Sequence, residues 1–240
     1  MEDSDAGVRD RLGRVRERIA GAARRSGRDP DSVRIVAVTK GVAPDRIRAA
    51  VEADHRRFGE NRVQEAREKI PLLPPDLEWH MVGSLQRNEA RLAADLFRWI
   101  HSVDRTALAE ALSAAAGGEP LPVLVQVNTG REPQKGGVAP EGLAGLLREI
   151  AALPGIRVEG LMAIPPLTAD PEASRPHFRA LRALAEEVAR LAIQGVSLRD
   201  LSMGMSADYE VAVEEGATLV RIGTAIFGPR PGDGGGEGGV

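Results

Sequence analysis

The segment Val33-Arg34-Ile35-Val36-Ala37-Val38-Thr39-Lys40-Gly41 carries an apolar, β-branched run straight into a lysine and a glycine. A short run of this composition reads as a strand buried on both faces. Lys40 then sits where the chain leaves the core. An amine partly withdrawn from water is more easily neutral, and a neutral amine condenses with a carbonyl compound to form a Schiff base. Taken alone, the stretch is better read as a surface lysine closing a strand, and what else the chain places near it decides between the two. Two segments near the C-terminus matter most: Ser202-Met203-Gly204-Met205-Ser206 and Leu219-Val220-Arg221-Ile222-Gly223-Thr224. Ser206 precedes an expected helix with Asp208 in its first turn, which suits an N-cap. Gly204 and Gly223 would let backbone approach a ligand, and helix-start amides with the Ser206 and Thr224 hydroxyls would form an anion cradle. Strand alternation puts Arg221 on the face shared with Leu219. A buried arginine is costly unless it pairs with a carboxylate or donates to a ligand atom.

These residues need a frame, and the chain repeats one: short apolar strand, polar turn, amphipathic helix. The expected strands are 33–38, 55–59, 78–83, 99–103, 122–128, 157–163, 198–203 and 219–223. The expected helices between them lie near 45–53, 61–70, 86–96, 105–115, 141–153, 174–191 and 207–215. Before the first strand, Val8, Leu12, Val15, Ile19 and Ala22 mark one face of a further helix, with Arg9, Arg11, Arg14, Arg16 and Arg18 on its other face. That basic face is read as solvated in preference to an RNA or lipid surface. Eight strands alternating with helices predict parallel strands and a single α/β domain, a closed (β/α)8 TIM-type barrel with an extra N-terminal helix. An open doubly wound sheet is the alternative, weakened by the absence of Gly-x-Gly-x-x-Gly after the first strand.

Function in such a barrel sits at the carboxyl ends of the strands, with phosphate sites frequently formed after strands seven and eight. This end collects Lys40, Glu60, Asn61, Ser84, Asp104, Asn128, Thr129, Ser206, Arg221, Gly223 and Thr224. His80 lies within strand three, where a satisfied core histidine is the more common outcome. Lysine, arginine and a phosphate cradle on one mouth suggest pyridoxal phosphate. The lysine would hold its aldehyde, the cradle its phosphate, and Arg221 would face the pyridine nitrogen. A guanidinium does not give up its proton, so that nitrogen would stay unprotonated and the ring would be a weak electron sink.

Composition narrows the classes. The chain has 240 residues, 42% of them hydrophobic, enough for one large core. A net charge of −3 with 3% aromatics argues against nucleic acid as the main partner. With no cysteine, disulfides, thiolate nucleophiles and Cys-zinc sites are excluded. The N-terminus has no apolar targeting stretch and no segment reaches 18 consecutive apolar residues, so a cytoplasmic protein without membrane contact is expected. Domain limits are set at 1–228 for the barrel, with a glycine-rich, disordered tail over 229–240. No heptad seam is legible, and a monomer is expected.

The sequence resembles the pyridoxal phosphate homeostasis protein family (the YggS or PROSC family). The resemblance rests on Ala37-Val38-Thr39-Lys40, Phe58-Gly59-Glu60-Asn61, Trp79-His80-Met81-Val82-Gly83-Ser84-Leu85-Gln86, Val127-Asn128-Thr129, Lys135-Gly136-Gly137, Gly160-Leu161-Met162-Ala163-Ile164-Pro165-Pro166, Leu201-Ser202-Met203-Gly204-Met205-Ser206 with Asp208, and Val220-Arg221-Ile222-Gly223-Thr224-Ala225-Ile226-Phe227-Gly228. It implies a single barrel similar to the N-terminal domain of alanine racemase, with Lys40 as the Schiff-base lysine. It also implies phosphate contacts from Ser206, Gly223 and Thr224, Arg221 at the pyridine nitrogen, and Asn61, His80 and Met203 lining the pocket. The implied role is storage, buffering or delivery of pyridoxal 5'-phosphate without turnover, with pyridoxal-phosphate-dependent enzymes as candidate recipients. Where the family commonly has tyrosine after Gly-Glu-Asn, this chain has Arg62. The competing reading is an amino-acid racemase or lyase of the alanine racemase-like fold. The racemases add a C-terminal β-domain that closes the site, and the chain continues after strand eight only into its glycine tail. A third reading, a barrel with another phosphorylated ligand and no Schiff base, is left weaker by the combined motifs.

Overall fold

The computed structural model describes residues 2–132 and 134–229. The tail expected to be disordered lies outside them except for Pro229. Among the described residues eight strands close into one parallel barrel in sequential order. They are β1 (Arg34–Val38), β2 (Arg57–Glu60), β3 (Glu78–Met81), β4 (Trp99–Val103), β5 (Leu121–Gln126), β6 (Ile156–Met162), β7 (Val196–Ser202) and β8 (Leu219–Ile222). Helix α1 (Glu2–Arg25) precedes them. The crossovers are α2 (Pro44–Glu52), α3 (Val63–Lys69), α4 (Ala90–Leu96), α5 (Thr106–Ala115), α6 (Leu143–Ile150), α7 (Arg175–Ala189) and α8 (Tyr209–Glu214), with a short α9 (Thr224–Phe227) after β8. The expected (β/α)8 barrel with its N-terminal helix is therefore the observed architecture. No described helix is long and apolar enough to cross a membrane.

Closure fixes where side chains point. In β1 the pattern alternates: Ile35 and Ala37 join the large apolar layer between strands and helices, while Val36 and Val38 turn into the barrel. The interior apolar cluster is small, Val36, Val82, Leu124, Met162 and Leu219. The remaining interior volume holds polar groups, among them His80, His101, Ser202 and Arg221, all buried. Register places Arg221 beside Val36 and His80 beside Gly59. Lys40 lies four residues beyond Val36, roughly 13 Å along the strand direction.

Helix α1 buries Val8, Leu12, Val15, Ile19 and Ala22 as the periodicity requires. Its basic face is more than solvated. Arg11 Nε donates to the Ile226 carbonyl at 2.7 Å and Arg16 to the Ala53 carbonyl at 3.0 Å. Arg18 pairs with Glu210, and Arg25 pairs with Glu214 at 2.8 Å. Arginine stems carry charge to distant acceptors while covering apolar surface, so α1 is fastened to α8 and to the segment that closes β8.

Candidate functional site

At the C-terminal mouth, Lys40 is half-buried and lines a cleft of about 540 Å³ with Asn61, Arg62, Gly83, Gln86 and Arg105. The cleft wall needs a glycine at position 83, since a Cβ there would drive into the backbone of Asn61. The strand end carrying Lys40 is pinned on both sides. The Thr39 hydroxyl donates to Glu60 Oε1 at 2.6 Å, and the Gly41 amide donates to Glu65 Oε1 at 2.7 Å. Lys69 completes the clamp: its buried Nζ donates to the Thr39 carbonyl at 2.7 Å, to Glu60 at 2.5 Å and to Glu65 at 2.7 Å. Glu60 is fully buried, and its Oε2 has no partner among the described atoms. Burial accordingly raises its pKa despite the hydrogen bonds from Lys69 and Thr39. Burial also pushes Glu65 upward, but the hydrogen bonds from Lys69 and the Gly41 amide outweigh it and leave its pKa lowered. Two lysines thus stand at this end in opposite states, Lys69 locked by three acceptors and Lys40 in an open cleft.

Across the mouth the segments after β7 and β8 meet. The Ser206 Oγ accepts from the amides of Gly223 and Ala225, each at 3.2 Å. Thr224 is exposed beside them. Two amides converging on one oxygen are what a phosphate oxygen would also find there. Gly204 serves a different purpose from the one expected. It is buried with φ +91°, and a Cβ would come within 2.5 Å of that of Ala212 and 3.0 Å of the Tyr209 Cα. Its lack of a side chain lets α8 pack against the turn instead of opening a cradle.

Arg221 lies below this rim, inside the barrel. Its guanidinium donates to Ser202 Oγ at 2.6 Å and to the Ala163 carbonyl at 2.9 Å. Neither acceptor is a carboxylate, so the ordinary buried ion pair is not what holds it. Burial lowers its pKa to about 10, with Asp208 opposing, and it stays charged at neutral pH. His80 is fully buried with both ring nitrogens engaged, Nδ1 with His101 and Nε2 with Glu78. Met203 is buried in the apolar layer between barrel and helices, and its amide bonds the Leu219 carbonyl at 3.1 Å. The structure therefore brings Lys40 and Asn61 together on one side of the mouth, and Ser206, Gly223 and Thr224 on the other. Arg221 stands beneath, with His80 and Met203 in supporting positions.

Lys69 as a partner of Glu60 and His101 as a partner of His80 are not legible in the sequence. The only local signal for the first was Glu65 four residues before Lys69, a helix-face spacing. His101 carried none, since its partners His80 and Ser202 lie 21 and 101 residues away.

The family described as alanine racemase, N-terminal domain, matches residues 11–231. A pyridoxal phosphate homeostasis protein of Aquifex aeolicus is 45% identical over 224 residues, covering 92% of this chain and 97% of that protein. The protein of the same name from Pseudomonas aeruginosa is 44% identical over 226 residues, covering 93% and 96%. Among solved structures, PipY of Synechococcus elongatus with PLP bound superposes with a TM-score of 0.80 at 38% identity, covering 92% of this chain and all of that one. Matches of this extent mean that the chain belongs to the pyridoxal phosphate homeostasis protein family, within the wider alanine racemase N-terminal domain group.

Proposed function

We propose that this protein binds pyridoxal 5'-phosphate and acts in its homeostasis, storing, buffering or delivering the cofactor held as a Schiff base on Lys40. The group supplies an aldehyde for an amine, a phosphate dianion for amide donors and a pyridine nitrogen for one further donor. The residues fit all three demands. Lys40 faces the open cleft, the Gly223 and Ala225 amides converge on one oxygen at Ser206, and Arg221 lies deeper in the barrel below that rim. Ser206, Gly223 and Thr224 would hold the phosphate and Asn61 would line the ring edge. His80 and Met203 would act through their neighbours.

The observation that carries a holding role over broad catalysis is Arg221. It is a fixed cation with two protein acceptors, not an acid able to protonate the pyridine nitrogen. An unprotonated ring withdraws electrons weakly, which suits retention, or a narrow proton transfer, more than broad carbanion chemistry. An enzyme is the second reading, a small amino-acid racemase or lyase working through Lys40. The cofactor-recipient enzymes, the cytoplasmic location and the monomeric state belong to the same proposal.

The test is the visible absorbance of the purified protein before and after borohydride, beside Lys40→Ala. A yellow band lost on reduction, with the label mapping to Lys40, is the expected result. A wild-type protein that stays colourless with added pyridoxal phosphate overturns the reading. Sustained Lys40-dependent turnover across an amino-acid panel at ordinary enzyme rates, on the order of 1–1000 per second, would favour the enzyme.

A further inference from the structure

Arg221 is the near end of a continuous hydrogen-bonded chain through the barrel interior. Its guanidinium donates to Ser202 Oγ at 2.6 Å, and that oxygen lies 2.9 Å from His101 Nδ1. His101 Nε2 lies 2.9 Å from His80 Nδ1, and His80 Nε2 lies 2.7 Å from Glu78 Oε1. Glu78 is the first residue of β3, so the chain starts near the mouth and emerges at the opposite end of the barrel.

The proton positions follow by elimination. The Glu78 carboxylate only accepts and the Arg221 guanidinium only donates, so a row with two neutral imidazoles satisfies both ends only when the Ser202 hydroxyl, accepting from Arg221, gives its own hydrogen to His101 Nδ1. His101 then carries its proton on Nε2 and gives it to His80 Nδ1. His80 in turn carries its proton on Nε2 and gives it to the carboxylate of Glu78. Every bond in the chain points the same way, from a permanent cation to an anion, through two neutral imidazoles. The surroundings agree. Burial lowers the pKa of both histidines, with the neighbouring His80, Arg221 and Arg34 adding to the effect on His101. Glu78 is held ionised first by its hydrogen bond with His80, with Arg57 and Arg34 also facing it. Trp99 stacks on His80 with ring centroids 5.8 Å apart and planes within 4°, and the Arg34 guanidinium lies over Trp99 at 5.6 Å. The rings are thereby clamped in the orientation the chain needs.

We propose that Ser202, His101, His80 and Glu78 form a one-way hydrogen-bonded relay that fixes the Arg221 guanidinium beneath the mouth and ties its charge to a carboxylate at the far end of the barrel. These four are positioning residues. A relay polarised in one direction strengthens each of its bonds, and it leaves Arg221 one rotamer and one set of free donors. The consequence for the cofactor rests on the function proposed above; the relay itself does not.

The decisive experiment uses the cofactor-free protein labelled with ¹⁵N-histidine, with long-range ¹H–¹⁵N spectra near neutral pH. Wild type should show His80 and His101 as neutral Nε2–H tautomers. Ser202→Ala should change the tautomer balance of His101 and, one link further, of His80, which Ser202 does not touch. An Nδ1–H or cationic ring in wild type, or His80 shifts unmoved by Ser202→Ala, overturns the relay whether or not the cofactor binds. The second arm measures retention of pyridoxal phosphate. His101→Gln can still accept from Ser202 and donate to His80, and should hold the cofactor within about threefold of wild type. His101→Leu cannot, and should weaken retention by about fivefold, the scale of one lost hydrogen bond between neutral groups. Equal weakening by Gln and Leu would reduce His101 to packing and sink the link to the cofactor.

Discussion

The rim of the barrel and its interior treat polar groups in opposite ways. At the mouth, Lys40 and Asn61 line an open cleft, and Thr224 is exposed beside amides that share one serine oxygen. Inside the barrel, polar groups are buried and bonded to one another along the Ser202–His101–His80 chain, which ends on half-buried Glu78, and near the base His55 Nε2 bonds the Arg57 carbonyl at 2.6 Å. Catalytic and binding residues of these barrels lie at the C-terminal face and stabilising ones at the other. Here the division is sharper than burial alone requires, because the interior polar chain reaches up to Arg221. The difference teaches that the strand end carrying Lys40 is held by its own hydrogen bonds while the Lys40 side chain is left facing an open cleft.

The frame is the first place to break that contrast. Lys69→Met removes the cation from Glu60 and the donor from the Thr39 carbonyl, leaving a buried carboxylate with only the Thr39 hydroxyl. Removing one partner of a buried pair costs about 3–5 kcal/mol. For a chain of this size that is a drop in Tm of roughly 6–20 °C. Differential scanning calorimetry would show it, and a loss near that of a surface pair, below about 1 kcal/mol, would mean that the clamp does not set the strand end.

The base has its own test, in acid. Burial holds the His55 pKa down at about 4, opposed only by the bond to Arg57. The folded value lies below the unfolded one of about 6.5, so this contribution to stability is complete above that pH. It is lost as the pH falls from there to about 4, because only the unfolded chain binds the proton. The full loss is up to about 3 kcal/mol. Urea midpoints at neutral pH and near pH 4 should diverge more for wild type than for His55→Gln. Parallel curves would show that His55 is not a closed polar group.

A smaller effect is expected across the mouth. Ser206→Ala takes the acceptor from the Gly223 and Ala225 amides, both in half-buried residues. Stability should fall by about 1 kcal/mol, and pyridoxal phosphate retention should weaken about tenfold if the hydroxyl also donates to the phosphate. Unchanged retention would place the phosphate elsewhere on the rim.

The sequence made the mouth legible and the interior opaque. β1, β4 and β8 were expected within a residue of where they lie, because apolar runs bounded by turn residues carry that information locally. Helices expected to begin at 61, 86 and 141 begin at Val63, Ala90 and Leu143. The last two are preceded by 3-10 turns; at the first of these, Gln86 and Glu89 form a capping box. Periodicity sees polar and apolar faces but not the hydrogen-bond pattern of an opening turn. Helix α9 was too short to leave a period at all. Lys40, Ser206 and Arg221 stood out because strand ends and strand alternation predict direction. The clamp around Lys69 and the histidine relay are pairings between separate strands and helices, and register sets those only once the barrel is closed.

Arg62 offers the finest test, since it is the one mouth residue that departs from the usual tyrosine of the family it resembles. It caps α3 in an extended conformation, φ −137° and ψ 129°, with no side-chain capping bond, and it is exposed on the cleft that Lys40 lines. A cation at a helix start opposes the dipole by about 0.3–1 kcal/mol when exposed. Arg62→Tyr removes that opposition, and an aromatic residue is at home in extended backbone. Chemical denaturation should therefore report a gain of a few tenths of a kcal/mol, with pyridoxal phosphate retention within about threefold of wild type. Retention improved tenfold or more would show that this wall touches the cofactor directly. The adaptable region would then extend from the two rims onto α3, and the boundary between open mouth and fixed frame would run between Arg62 and Glu65, within a single turn of helix.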